Sequence, residues 1–239
     1  MLGAARRWWR RRGSRRLEPR QVFDCLGDSY DELDNPLWAL ERPELSALLP
    51  AGLTGQNAAD LGGGTGHWGS VLLRRGARPV VVVDLAFGML RAGTAARAGL
   101  LWVQGDLLHL PLASSSLDVA VAGCCLSYVQ RLGQALRECA RILRPGGLLL
   151  ISDYHPDGLK PGWTRGFTLR NQEIVPRTFE HAPSQLAAAA RQAGLSLEIL
   201  REIEADQRLA RFNREARGLE PLETIRGLKV LIAARLHRP

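Results

Sequence analysis

Ala58-Ala59-Asp60-Leu61-Gly62-Gly63-Gly64-Thr65-Gly66 is the stretch whose reading decides the fold. A short apolar run reaches a carboxylate, and four glycines follow within five positions. Glycine lacks Cβ, so such a turn can take backbone angles closed to other residues and lets a ligand lie against the main chain. His67 through Arg75 then read as a helix. A strand, a glycine turn and a helix N-terminus form a nucleotide site at the edge of a parallel sheet.

The glycines alone do not identify the ligand. Gly64-Thr65-Gly66-His67-Trp68-Gly69 fits the G-x-G-x-x-G pattern of dinucleotide sites, and Asp84 stands where a ribose-binding acid belongs. Asp60 separates the two readings. A carboxylate ending the first strand repels a pyrophosphate and attracts a ligand carrying an ammonium and a sulfonium. S-adenosylmethionine is such a ligand. A purely structural turn would need one or two glycines, not four.

Outward from this turn, strands and helices alternate. Asn57 to Leu61 is the first strand, thin in β-branched residues. Pro79 to Asp84, with four consecutive valines, reads as a parallel strand buried on both faces. Phe87 to Ala98 is a helix and Leu100 to Gln104 a third strand. Leu117 to Leu126 is a fourth strand, Leu132 to Leu143 a helix, and Arg144-Pro145-Gly146-Gly147 a helix stop followed by a turn. Leu148 to Asp153 is a fifth strand. The alternation predicts an α/β, Rossmann-like, doubly wound sheet of seven strands, mostly parallel, with helices on both faces.

The regularity stops after His155. Residues 156–182 read as an insertion on the substrate side. Ala182 to Ala193 is a helix. Ser196 to Ile203 and Gly227 to Leu236 form an antiparallel pair at the sheet edge, with a polar helical stretch, Asp206 to Arg217, between them. Residues 21–56 read as a helical lid or flank, broken at Asn35-Pro36, with Pro43 opening a further helix to Leu49. Residues 57–239 form the main domain.

The net charge of +8 is concentrated at one end. Residues 1–20 carry eight arginines against Glu18, while the rest of the chain holds 24 basic and 23 acidic residues. The basic tail has three readings: a flexible solvated extension, a contact for anionic lipid or nucleic acid aided by Trp8 and Trp9, or an Arg-rich mitochondrial transit segment. With thirty arginines and only Lys160 and Lys229 as lysines, arginine alone says little about function. Cys25, Cys124, Cys125 and Cys139 show no C-x-x-C spacing, which fits a reducing compartment without disulfides or a zinc site. No apolar run approaches the length of a membrane span. The expected location is cytoplasmic, with mitochondrial as the alternative.

Asp60, Asp84 and Asp106 stand at the ends of strands one, two and three. With Val83-Asp84-Leu85-Ala86-Phe87-Gly88-Met89-Leu90, Gly105-Asp106 and Leu136 through Gly147, the order of motifs resembles the class I S-adenosylmethionine-dependent methyltransferases, type 11 small-molecule group. The resemblance implies that Gly62, Gly64 and Gly66 hold the methionine end of the cofactor, with Asp60 alongside. It implies that Asp84 takes both ribose hydroxyls, with Leu85 and Met89 nearby, and that Asp106 accepts from the adenine amino group beside Leu107. Tyr30 resembles the tyrosine that closes over the methionine carboxylate. It also implies that the last strand is antiparallel.

The acceptor is harder to read. His155 and His181 flank the insertion and are the candidate general bases. Tyr128 and Tyr154 are candidates to orient the acceptor, and Arg165 and Arg170 to pair with an acidic one. The quinone C-methyltransferase signature around the N-terminal tyrosine is absent, which leaves quinone methylation remote. No metal-binding acid constellation stands out. The leading expectation is methyl transfer to O, N or C of a small molecule, without metal or nucleic acid. The alternatives are an RNA methyltransferase recruited by the basic tail and a non-catalytic binding module. The nearly neutral body and the lack of an Asn-Pro-Pro-Tyr motif after strand four argue against RNA.

Overall fold

The computed structural model describes the backbone of residues 9–11, 16–33, 35–159, 163–165, 167–169, 172–209 and 225–239. The side chains of 9–11, 16, 159, 163–165, 167–169, 172 and 173 lie outside that description. Two short strands, β1 (Trp9–Arg11) and β2 (Arg16–Leu17), precede helix α1 (Pro19–Leu26), a 3-10 turn (Gly27–Glu32) and α2 (Trp38–Leu48). The alternating part runs β3 (Ala58–Leu61), α3 (His67–Arg74), β4 (Val80–Asp84), α4 (Phe87–Ala96) and β5 (Leu101–Gln104). It continues with β6 (Leu117–Gly123), α5 (Leu132–Ile142) and β7 (Leu143–Tyr154). Short strands β8 (Trp163–Arg165), β9 (Phe167–Leu169) and β10 (Gln172–Pro176) precede α6 (Pro183–Gln192), β11 (Ser196–Glu204) and β12 (Lys229–His237).

The main sheet has seven strands in the order β11-β12-β7-β6-β3-β4-β5. β3, β4, β5, β6 and β7 pair in parallel, and β12 runs antiparallel to both β7 and β11. This is the doubly wound sheet expected from the alternation. Side chains divide by parity along the strands. Ala58, Val80, Val82, Val119 and Val121 join one core with α2 and α3, whose Leu40, Leu45, Trp68 and Leu72 are buried there. Ala59, Leu61, Val83, Ala120 and Ala122 join the other, under Leu136 and Cys139 of α5 and Leu186 of α6.

Element boundaries depart from expectation in three places. β6 ends at Gly123, and Leu126–Tyr128 is a 3-10 turn, because Cys124 takes a positive φ of 49° that strand pairing cannot follow. Arg144-Pro145-Gly146-Gly147 follows the end of α5 as expected, with Gly146 at a positive φ of 79°, but it forms a bulge and not a free turn. It lies within β7, where Leu143 pairs with Leu117 and the Gly146 N–H donates to Arg238 O at 2.7 Å. Pro43 lies inside α2 instead of opening a new helix. Of the polar stretch from Asp206, only Gln207–Leu209 is described, as a 3-10 turn, and residues 210–224 lie outside the described residues.

The N-terminal segment is seated over the carboxyl ends of the strands. It buries Val22, Leu26 and Leu33 in a small apolar cluster of its own. It is fastened to α4 by close backbone approach: a Cβ on Gly88 would sit 2.2 Å from Asp24 O. The Gly88 N–H, at the α4 N-terminus, donates to Asp24 Oδ1 at 2.9 Å. Gly88→Ala is therefore expected to push α1 off α4 at a cost of about 1–3 kcal/mol. Urea unfolding followed by circular dichroism checks this, and an unchanged midpoint would show that α1 is not seated this way.

Candidate functional site

A cavity of about 350 Å³ opens at the carboxyl ends of β3, β4 and β6, beneath the N-terminal segment. Its floor is the glycine turn. Asp60, at the end of β3, is 1% exposed, and its Oδ2 accepts the Gly69 N–H of α3 at 2.7 Å. Its Oδ1 is buried with no hydrogen-bond partner among the described residues. Burial pushes the Asp60 carboxyl up to about 7, against the lowering effect of the Gly69 N–H, and the Asp84 charge adds to the rise. Gly63 must lack a side chain, since a Cβ there would stand 2.5 Å from Asp60 Cγ.

Asp84 ends β4 and staples two turns together. Its Oδ2 accepts the Gly64 N–H and its Oδ1 the Ala86 N–H, both at 2.8 Å. Desolvation raises its carboxyl to about 6, with those two N–H groups opposing. Asp106, beyond β5, uses Oδ1 to accept the Leu108 N–H at 2.8 Å. All three acids border the cavity. So do Gly62, Gly64, Leu85, Met89 and Leu107, whereas Gly66 lies just off the cavity wall as the N-cap of α3.

The N-terminal segment supplies the roof. Tyr30 packs edge-on against Trp38 at 5.7 Å, and Phe23 against Tyr128 at 5.0 Å. All four rings border the cavity. Asp31, next to Tyr30, accepts from Thr65 Oγ1 at 2.7 Å and pairs with Arg97 at 2.7 Å. Burial pushes the Asp31 carboxyl up, but Arg97 and Thr65 together hold it below its ordinary value.

Three further cavity residues come from places where sequence reasoning found no signal. Glu41, in α2, is buried and accepts from Trp68 Nε1 at 3.0 Å and Ser152 Oγ at 2.7 Å. Its neighbour Arg42 stacks on Trp38 at 4.4 Å, and its buried Nε has no hydrogen-bond partner among the described residues. Both positions read as part of an ordinary amphipathic helix. His67 follows the glycine turn directly. Burial, with Arg42 and Arg97 nearby, lowers its imidazole to about 4, so it is neutral near pH 7.

The remaining expected residues lie elsewhere. Neither His155 nor His181 borders the cavity. His155 is buried, its Nδ1 accepting the Asp157 N–H at 3.0 Å and its Nε2 2.9 Å from Glu202, which also binds Lys229 at 2.9 Å. It ties the end of β7 to β11 and β12. His181 donates from Nε2 to Val129 O at 2.8 Å, one layer behind the cavity wall. Tyr154 is a core residue that packs with α2 and β12. Arg165 sits in β8, but its side chain and all of Arg170 lie outside the described residues. Among the described residues there is no cluster of three or more His, Cys, Asp or Glu placed to hold a metal, and no helix long and apolar enough to cross a membrane.

Comparison with known proteins places this cavity in a family. Residues 59–151 match a family described as a methyltransferase domain. The chain is 34% identical over 202 residues to the demethylmenaquinone methyltransferase of Thermobifida fusca, covering 76% of this chain and 85% of that protein. It is 33% identical over 169 residues to a malonyl-acyl-carrier-protein O-methyltransferase of Pectobacterium atrosepticum, covering 69% of this chain and 66% of that one. In fold it is similar to an S-adenosylmethionine-dependent methyltransferase from Mesorhizobium loti, with TM-score 0.65, 22% identity, and coverage of 86% and 99%.

The buried acid has a consequence for the ligand-free protein. Asp60 titrates near 7 when folded and near the ordinary carboxylate value of about 4 when unfolded. The folded chain thus binds the proton more tightly. Its contribution is full below pH 4, falls as pH rises, and is lost above about pH 7. Asp60→Asn keeps an acceptor for the Gly69 N–H without the charge. It is expected to match the wild type near pH 4 and to exceed it at pH 8 by on the order of 1–3 kcal/mol. Denaturant unfolding at both pH values checks this, and a variant equally destabilised at both would refute it.

Proposed function

The chain belongs to the class I S-adenosylmethionine-dependent methyltransferases, and from that premise we propose which group it methylates: an atom that is already anionic or readily ionised on a small molecule, a carboxylate, phenol or enol. The cofactor, when bound, supplies a methyl group on a sulfonium, an activated electrophile. The residues present fit it. The orphaned buried Oδ1 of Asp60 suits a neighbouring cation. The Asp84 oxygens each keep lone-pair capacity beyond one backbone N–H, enough for two ribose hydroxyls. Asp106, which borders the cavity, would accept from the adenine amino group, and Arg42, whose Nε has no partner among the described residues, would suit the methionine carboxylate.

The observation that carries the acceptor class is the position of the histidines. The only histidine bordering the cavity among the described residues is His67, which is weakly basic. His155 and His181 are engaged elsewhere. A site without a base poised near neutrality suits acceptors that bring their own acidity, and in-line positioning then supplies most of the acceleration. The names of the two curated relatives support this, one acting on a malonyl group and the other on a demethylated quinone. The second name also weighs against setting quinones aside on sequence grounds.

Two measurements test the proposal. Calorimetric titration is expected to show micromolar binding of S-adenosylmethionine, weakened at least about tenfold by Asp84→Ala and by Arg42→Gln. Because a cation beside Asp60 draws its carboxyl down from about 7, binding at pH 7 is expected to release protons, seen as a dependence of heat on buffer ionisation enthalpy. For turnover at saturating S-adenosylmethionine, kcat/KM for the acceptor is expected to be nearly flat from about pH 6 to about pH 9 with a carboxylate acceptor and to follow the acceptor's own ionisation with a phenol. A bell with the same apparent values for both acceptors would point to a protein base and end this reading.

A further inference from the structure

Two guanidinium groups stand at the opening of the cavity. Arg20 lies in the first turn of α1, three residues before Phe23 and on the same face. Arg177 follows β10, where its N–H donates to Leu17 O at 2.8 Å and its guanidinium lies 5.4 Å from the Phe179 ring. The Phe179 N–H donates to Ser127 O at 2.7 Å, which fixes this segment beside Tyr128. Arg20, Phe23, Tyr128, Arg177 and Phe179 all border the cavity.

In so arginine-rich a chain, a loosely held guanidinium is common at the surface. Arg20 and Arg177 combine that with a place on the cavity border, unlike the structural arginines. Arg75 donates to Leu49 O, Pro50 O, Ser46 O and Ser46 Oγ, and Arg141 to Leu110 O, Leu112 O and both oxygens of Glu138. Among the described residues, Arg177 by contrast has one loose ion pair, Nη1 to Glu18 Oε1 at 3.5 Å, and Arg20 another, Nε to Asp24 Oδ2 at 3.6 Å. Both are longer than the roughly 2.7–2.9 Å of a good charge-assisted hydrogen bond. Asp24 is already committed through Oδ1 to the Gly88 N–H. Most of the ten N–H donors carried by the pair therefore have no protein partner among the described residues.

From this we infer that the methyl acceptor is an apolar acid: its anionic group pairs with Arg177 and Arg20 at the mouth, and its apolar body lies against Phe23, Tyr128 and Phe179. The inference rests on the reading that this cavity receives the acceptor. The anionic handle is a carboxylate or a phosphate, which share the bidentate geometry a guanidinium matches. Binding exchanges the loose Glu18 contact for a closer pair and keeps the anion at the mouth, away from the acids of the floor, Asp60 and Asp84.

The test uses the full chain saturated with S-adenosylhomocysteine. Calorimetry with 2-naphthoate, 2-naphthyl phosphate and the neutral 2-naphthamide reads the preference for charge at constant apolar body. At least one anion is expected to bind about tenfold or more tightly than the amide. That preference is expected to fall below about twofold in the Arg20→Gln/Arg177→Gln double variant, to survive in part in Arg177→Lys, and to increase in Glu18→Gln. Which anion wins tells carboxylate from phosphate. Affinity for S-adenosylhomocysteine, expected unchanged within about twofold in every variant, shows that each is folded with its floor intact. Equal binding of acid and amide, a preference that survives the double variant, or no binding of any probe to protein that holds S-adenosylhomocysteine would each overturn the inference. Failure of the wild type to bind S-adenosylhomocysteine would instead defeat the methyltransferase reading of the cavity.

Discussion

The carboxylate of Asp60 is the constraint on which this structure depends. It ends the first parallel strand, sealed from water and held by one backbone N–H from α3. Burying an acid there is costly, and its raised proton affinity records that cost. The chain accepts it because of where it lies. Helix α3 must start at that point to pack on the sheet, and its first free N–H groups need acceptors. Gly63 must pass close enough to leave no room for a side chain. A turn shaped by these demands exposes its backbone to the cavity and leaves one carboxylate oxygen without a partner.

Asp84 extends the same logic to the next strand. By accepting from Gly64 on one side and Ala86 on the other, it couples the glycine turn to the start of α4. Helix α4 in turn seats the N-terminal segment, through Gly88 against Asp24 and through Arg97 against Asp31. The hydrogen bond from Thr65 to Asp31 closes the circuit from roof to floor. The cavity is thus bounded by one connected set of contacts, so displacement of the roof reaches the glycine turn.

How much of this could be read from the residues follows from the range of the interactions. The valine run, the glycine turn and the acids at strand ends carry their meaning locally, because a strand in a doubly wound sheet must deliver its last residue to the binding edge. The start of β7 could not be read that way. Arg144-Pro145-Gly146-Gly147 has the composition of a turn and bulges out of the ladder between Leu143 and Leu148, but its hydrogen bonds to Arg238 at the far end of the chain hold it on the sheet. Glu41 and Arg42 were illegible for a related reason. Nothing in α2 marks which polar positions face a cavity, since the partners Trp68, Ser152 and Trp38 are set by packing.

The histidines make the same point for chemistry. His155 and His181 sit at the right positions in the chain to act as bases, flanking the segment above the sheet. Yet both lie just outside regular elements, His155 after β7 and His181 before α6, where no strand or helix period sets the side-chain direction. Glu202, 47 residues away, and Val129, 52 residues away, draw the two rings aside. A histidine taken up by a carboxylate that also holds Lys229 stabilises the junction of β7, β11 and β12 and is unavailable to an acceptor. The described cavity wall is left with acids at its floor, aromatic rings around it and two loosely held guanidinium groups at its mouth. Such a site does little proton transfer of its own. On the proposed reading it works by placing two molecules in line, one cationic against the acids and the other anionic against the arginines, so that opposite charges orient the pair before any bond changes.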